Sequence, residues 1–230
     1  MKLYLGVETN TFTILARCPR TSALGVAIAT YSLAVGGTCP AVESQVGVMA
    51  SQAYGDPRLR PIVMKHLNNG LSPGEALERV HDIDPHMDYR QVGIVDGKGR
   101  VGVHTGLKAR DWAGHIVGSG YVAMGNALMG EKVVRDMSSV FKVSAAWALE
   151  ERLMIALEAG RKAGGQPQGQ RSAVLVVFRE ENYPWVDLRV DMHKEPVGEL
   201  RRIYEVYKPM IPYYYYMRPR DPQNLPTQDE

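Results

Sequence analysis

The sequence predicts a layered α+β domain in which two packed sheets carry helices on their outer sides. Three observations carry this prediction. Period-two apolar alternation occurs near the start, in the middle and near the end of the chain, so strands are spread along it. The elements run as strands, two helices, strands, two helices, strands and one helix, which is not the βαβ alternation of a parallel sheet. Residues 91–96 and 100–104 flank Asp96-Gly97-Lys98-Gly99, a turn that joins antiparallel neighbours.

Each element has its own signal. Thr11–Arg17 alternates apolar and polar residues, and Leu24–Thr30 does so after a turn from Pro19 to Ser22. Residues 46–53 form a strand of small residues, suited to close packing of one layer on another. A helix over 57–67 opens on proline and stops at Asn68-Asn69-Gly70. Ser72 caps the next helix, and Glu75 three positions on completes a capping box. Tyr121–Asn126 reads as a strand, and 133–143 and 145–162 as helices, the second ending at Gly164-Gly165. Ser172–Phe178 is a continuous apolar strand, 185–191 its hairpin partner, and Pro196–Tyr207 a last helix. From Lys208 the chain is rich in Pro and Tyr and reads as an extended arm. Tyr213 to Tyr216 are costly to leave in water, so the arm is expected to pack on the body or on a second copy of the chain in a homo-oligomer.

Composition narrows the function classes. The 230 residues fit one large domain or two small ones. With 27 basic against 25 acidic residues, nothing points to nucleic acid or an anionic membrane. No apolar run spans a bilayer and the first residues make no secretory signal, so a soluble cytoplasmic protein is expected. Cys18 and Cys39 have no metal-motif spacing and are expected to be reduced thiols. No histidine pair has metal-ligand spacing, the glycine-rich turns lack a Walker lysine, and no metal or cofactor is expected. Asp82, Asp84 and Asp88 crowd Pro85 and are read as a solvated helix-end loop.

Thr11 opens a strand with ten residues before it. A threonine placed there, once made N-terminal, can use its own α-amine as the base for its hydroxyl. The same segment also reads simply as a strand. Ser51-Gln52 and Asn126 end strands, where side-chain amides serve either as oxyanion donors or as turn formers. His104 ends another strand and reads as a general base or a structural histidine.

The ordered set Thr11–Arg17, Leu24-Gly25-Val26-Ala27, Ser51-Gln52-Ala53, Arg90–Asp96, His104-Thr105-Gly106, Trp112-Ala113-Gly114-His115, Gly125-Asn126 and Arg171-Ser172-Ala173 resembles the bacterial family called domain of unknown function 1028. The resemblance runs from Thr11 to about Tyr207. It implies an Ntn-hydrolase-like four-layer αββα sandwich over 11–207, with a leader at 1–10 and the arm at 208–230. It also implies amide-bond hydrolysis by an N-terminal threonine. The family's threonine directly follows the initiator methionine, whereas here cleavage of Asn10–Thr11 would be needed to expose it. On this reading Thr11 is the nucleophile and Asn126 an oxyanion donor. Ser51, Gln52, Gln91 and His104 line a pocket for a small amide substrate, and Arg171 or Arg189 grips a carboxylate. The alternative is a non-catalytic small-ligand binding or regulatory protein on the same fold.

Overall fold

A computed structural model of the chain describes residues 5–216. The alternation near the start yields β1 (Val7–Thr9), β2 (Thr11–Arg17) and β3 (Leu24–Thr30), followed by the short helix α1 (Val35–Thr38) and strands β4 (Pro40–Glu43) and β5 (Gly47–Gly55). Helices α2 (Leu59–Asn68) and α3 (Pro73–Ile83) lead into β6 (Arg90–Asp96), β7 (Val101–Thr105), β8 (Gly114–Gly118) and β9 (Tyr121–Asn126). The chain continues through α4 (Lys132–Val143), α5 (Leu149–Lys162), β10 (Ser172–Phe178), β11 (Pro184–Val190), α6 (Pro196–Tyr207) and α7 (Ile211–Tyr216).

The strands form two antiparallel sheets, a mixed α/β arrangement. One has the order β11-β10-β3-β2-β9-β8; the other runs β1-β5-β6-β7, with β4 also paired to β5. In the first sheet Thr11 lies opposite Thr30 on one side and Asn126 on the other. Period-two geometry then sends alternate side chains of β2 to opposite faces. Phe12 and Ile14 join Phe141, Leu153 and Leu157 of α4 and α5 in one buried cluster. Leu15 joins Val26, Val48, Ala50 and Met124 in a second cluster that draws on both sheets. A third cluster sets Met49 and Ile94 of the second sheet against Val63 of α2 and Leu77 of α3. The sheets approach closely at Gly93: a Cβ there would lie 2.9 Å from both Leu15 Cδ1 and Met124 Sδ.

The capping box forms as the sequence requires. Ser72 Oγ accepts from Glu75 N at 3.3 Å, and Glu75 Oε2 accepts from Ser72 N at 2.7 Å. Three expectations are corrected. The helix placed at 145–162 begins only at Leu149, because residues 144–147 form a turn. Asp84 is not solvated: it is 2% exposed and accepts from the buried Arg90 Nε at 2.9 Å. Residues 208–216 are not extended but form a 3-10 turn and α7, which buries Ile211 and stacks Tyr214 on Tyr207 with ring centroids 5.3 Å apart. The remainder of the arm, 217–230, and leader residues 1–4 lie outside the described residues. Cys18 and Cys39 are free and buried. Among the described residues no helix is long and apolar enough to cross a membrane.

Candidate functional site

The strand that Thr11 opens is fully buried at its head, and polar side chains gather around it. Thr11 Oγ1 donates to Thr30 Oγ1 at 3.1 Å. Thr30 Oγ1 in turn donates to the Asn10 carbonyl oxygen at 2.8 Å. That oxygen also accepts from Gln166 Nε2 at 2.8 Å and from the Tyr31 amide at 3.2 Å. Three donors on one carbonyl is more than an ordinary strand residue receives, and they polarise the bond that links Asn10 to Thr11.

A second set of bonds crosses between the sheets and runs in one direction. Thr13 Oγ1 donates to Gln52 Oε1 at 2.5 Å, and Gln52 Nε2 to Gln91 Oε1 at 2.7 Å. Gln91 Nε2 donates to Thr105 Oγ1 at 3.0 Å and to the Gly114 and Gly125 carbonyls at 3.1 and 3.0 Å. Thr105 Oγ1 lies 2.9 Å from His115 Nδ1. Thr105 Oγ1, which accepts from Gln91, can either donate to Nδ1 or accept from it, so this contact links the imidazole to the network in either tautomer. Burial first, and then the nearby His104, hold His115 below the usual imidazole range. Asn126 Nδ2 reaches Gln91 Oε1 at 3.4 Å, while its Oδ1 is buried without a hydrogen-bond partner.

Thr11, Gln52, Gln91 and Asn126 therefore share one polar interior. Ser51, His104 and Arg171 do not join it by side-chain hydrogen bonds. Ser51 and Gln52 are adjacent on β5, so the pleat sends them to opposite faces. His104 lies on the α3 side of β7, 3.3 Å from His81 Nε2 through Nδ1 and 2.8 Å from the Met87 carbonyl through Nε2. Arg171 donates its backbone amide to the Thr30 carbonyl at 2.7 Å and sets its guanidinium 5.6 Å from the Tyr31 ring centre. Arg189 is bound to Asp187 at 2.7 and 2.9 Å. Thr30 and Gln166 escaped sequence reasoning. A hydroxyl at the end of β3, opposite Thr11 once the hairpin register is drawn, is the one signal that could have found Thr30.

Ser51 instead faces a cavity of about 270 Å³. The cavity lies where β5 passes from its pairing with β4, which ends at Ala50, to its pairing with β1, which begins at Ala53. Thr9, Ser32, Thr38 and Ser51 line it with Cys39. Ser51 Oγ is buried and has no hydrogen-bond partner. Burial pushes the Cys39 thiol up to about 11, against the neighbouring Thr38 and Thr9 hydroxyls, so it is neutral at pH 7. Among the described residues no set of three or more metal-binding side chains converges.

These features define a mixed α/β domain of two antiparallel sheets with a threonine and amide network buried between them. The chain belongs to the family of unknown function DUF1028, which matches residues 11–200. The crystal structure of a DUF1028 protein from Silicibacter pomeroyi is similar, with 34% identity, 86% of each chain covered and a TM-score of 0.80. Anbu, the ancestral β-subunit from Yersinia bercovieri, aligns over 89% of this chain and 97% of its own with 10% identity and a TM-score of 0.43, a likeness from which nothing is carried over. No curated protein matches the sequence.

Proposed function

We propose that this chain is a latent amide hydrolase built as a four-layer αββα sandwich of the Ntn type. Its nucleophile is Thr11, released by cleavage of the Asn10–Thr11 bond. The observation that carries the reading is the Asn10 carbonyl, held by Thr30, Gln166 and the Tyr31 amide, with the Thr11 hydroxyl linked to it by two hydrogen bonds through Thr30. In the first reaction Thr11 Oγ1 adds to the Asn10 carbonyl carbon and the hydroxyl proton passes to the Thr11 nitrogen as the C–N bond breaks. Water then hydrolyses the ester, leaving the leader as a carboxylic acid and Thr11 with a free amine. In the second reaction that amine takes the hydroxyl proton while Oγ1 attacks a substrate amide, and passes the proton to the departing amine. Asn126 Nδ2, held only at 3.4 Å, serves as an oxyanion donor, and Arg171 provides a carboxylate grip.

The intact mass of the purified chain tests this. A product beginning at Thr11, absent from the Thr11→Ala variant, is expected. An uncleaved chain that hydrolyses amides, or a Thr11→Ala variant cut at the same bond, would sink the mechanism.

One observation favours a second reading. β1 is held on β5 through Val7↔Gly55, Glu8↔Tyr54 and Thr9↔Ala53, and while residues 1–10 stay attached the Thr11 nitrogen is an amide. A blocked amine is no base. On this reading the chain binds a small ligand without turning it over, and saturable binding by a persistently uncleaved chain is what separates the two.

A further inference from the structure

We propose that the cavity at Ser51 binds a small uncharged hydrogen-bonding group, an amide or alcohol of a few heavy atoms. This deepens the amide-hydrolase reading by naming its substrate class, and rests on that reading for the word substrate alone; the binding itself does not.

The walls carry the argument. Four hydroxyl side chains and one neutral thiol face the cavity, and no ionised side chain lines it among the described residues. The nearby Arg60 is turned to other duties, with Nη1 donating to the Gly37 and Pro40 carbonyls at 3.0 and 3.2 Å. An ion entering this space would give up its hydration for no counter-charge, a loss of several kcal/mol, whereas a neutral amide exchanges water for hydroxyl partners at about par. Ser51 is 1% exposed and its Oγ makes no hydrogen bond in the protein. A buried hydroxyl left so is costly, and a small shift of the wall that opens it to a ligand donor or acceptor would relieve it. Leu33 and Pro57 supply the apolar remainder. The volume of about 270 Å³ equals roughly nine waters at liquid density, so the ligand group is small.

The cavity also adjoins the proposed chemistry along the chain. Thr9 is two residues before Thr11. Ser32, whose amide donates to Thr30 Oγ1 at 3.2 Å, is two residues after Thr11's hydroxyl partner. Gly6 and Thr9 form the wall that comes from the leader, so loss of residues 1–10 would widen the entrance as it freed the amine.

Three isosteric probes test the proposal: propionamide, propionate and propionamidinium, titrated into the full chain and followed by ligand-observed NMR. Propionamide is expected to bind saturably, with a Kd of about 1 mM or weaker for so few atoms. The two ions are expected to bind at least about tenfold more weakly. Ser51→Ala should weaken propionamide severalfold. Ser32→Phe and Thr38→Phe, placed at the half-buried and exposed mouth so that the fold tolerates them, should each abolish its binding. Equal binding of either ion, propionamide binding that survives both mouth variants, or no saturable binding at all would overturn the proposal. Thr11→Ala should remain uncleaved. Loss of cleavage in that variant speaks to the hydrolase reading, and loss of propionamide binding in the mouth variants speaks to the cavity, so either can fail alone.

Discussion

Gln91 carries the interior with two amide protons that serve three acceptors, Thr105 Oγ1 and the Gly114 and Gly125 carbonyls, while its Oε1 accepts from Gln52. It is fully buried, so none of these groups can turn to water instead. Gln91→Leu keeps the bulk and removes every bond. Each orphaned buried group costs about 1–3 kcal/mol, so a loss of at least about 3 kcal/mol is expected in urea unfolding. A loss under 1 kcal/mol would mean that water or side-chain rotation repairs the network. Thr11, Gln52 and Asn126 stood out in the sequence as polar residues at strand starts and ends, and Gln91 only through the family resemblance. What such a pattern leaves out is partners distant along the chain. Gln166 reaches the Asn10 carbonyl across 156 positions, and no local rule joins them. Sequence adjacency also misled, since Ser51 and Gln52 share a strand end but not a face.

At the scale of elements, periodic strands and capped helices were readable and short edge elements were not. Thr11–Arg17, Leu24–Thr30, Tyr121–Asn126, Ser172–Phe178 and Pro196–Tyr207 fall where alternation or capping put them. β1 has three residues, and β8 is bounded by glycines, so each owes its existence to a neighbouring strand rather than to its own propensity. The junction of α5 and α6 is likewise tertiary. Arg201 donates to Glu158 through Nε at 2.7 Å and through Nη1 to Glu151 and Glu205 at 2.7 and 2.8 Å. Burial alone would raise the Glu151 carboxyl, but bonds from Arg201 and Lys208 outweigh it and hold the group below its ordinary range. A carboxylate with a depressed folded pKa adds stability above its unfolded pKa of about 4.3, and that stability drains away as pH falls through the folded value. Arg201→Met should therefore cost about 1 kcal/mol at pH 7, after discounting for partial exposure. The two unfolding curves should converge as pH falls through the lowered folded value of Glu151, below which that carboxyl is protonated in both states. A constant gap across that range would assign the effect to packing of the arginine stem.

For the molecule as a whole, the division between body and leader is the consequential feature. The family match begins at Thr11, and the sheet order from β2 to β11 does not pass through residues 1–10. What residues 5–10 contribute is the three-residue pairing of β1 with β5, the Leu5 carbonyl that accepts from Arg90 Nη1, and the Asn10 carbonyl that accepts from Thr30, Gln166 and the Tyr31 amide. Arg90 keeps its bonds to Asp84 and to the Tyr54 carbonyl without these residues. A chain expressed with Thr11 at its free N-terminus should therefore fold cooperatively with an unchanged far-UV spectrum, at a loss of at least about 3 kcal/mol shared between the β5 edge and the donors left around the Asn10 position. Hydrogen exchange locates that loss: the amides of β5 near Ala53 and of Tyr31 should open while those in the middle of β2 and β3 stay protected. The same chain carries the functional consequence, because its Thr11 amine is free to act as a base. Amide hydrolysis by this form, lost on Thr11→Ala and absent from an uncleaved full chain, is the result the catalytic reading requires. A well-folded truncated chain that turns over no amide from a broad neutral panel, yet binds them, would place the protein among ligand carriers on this fold.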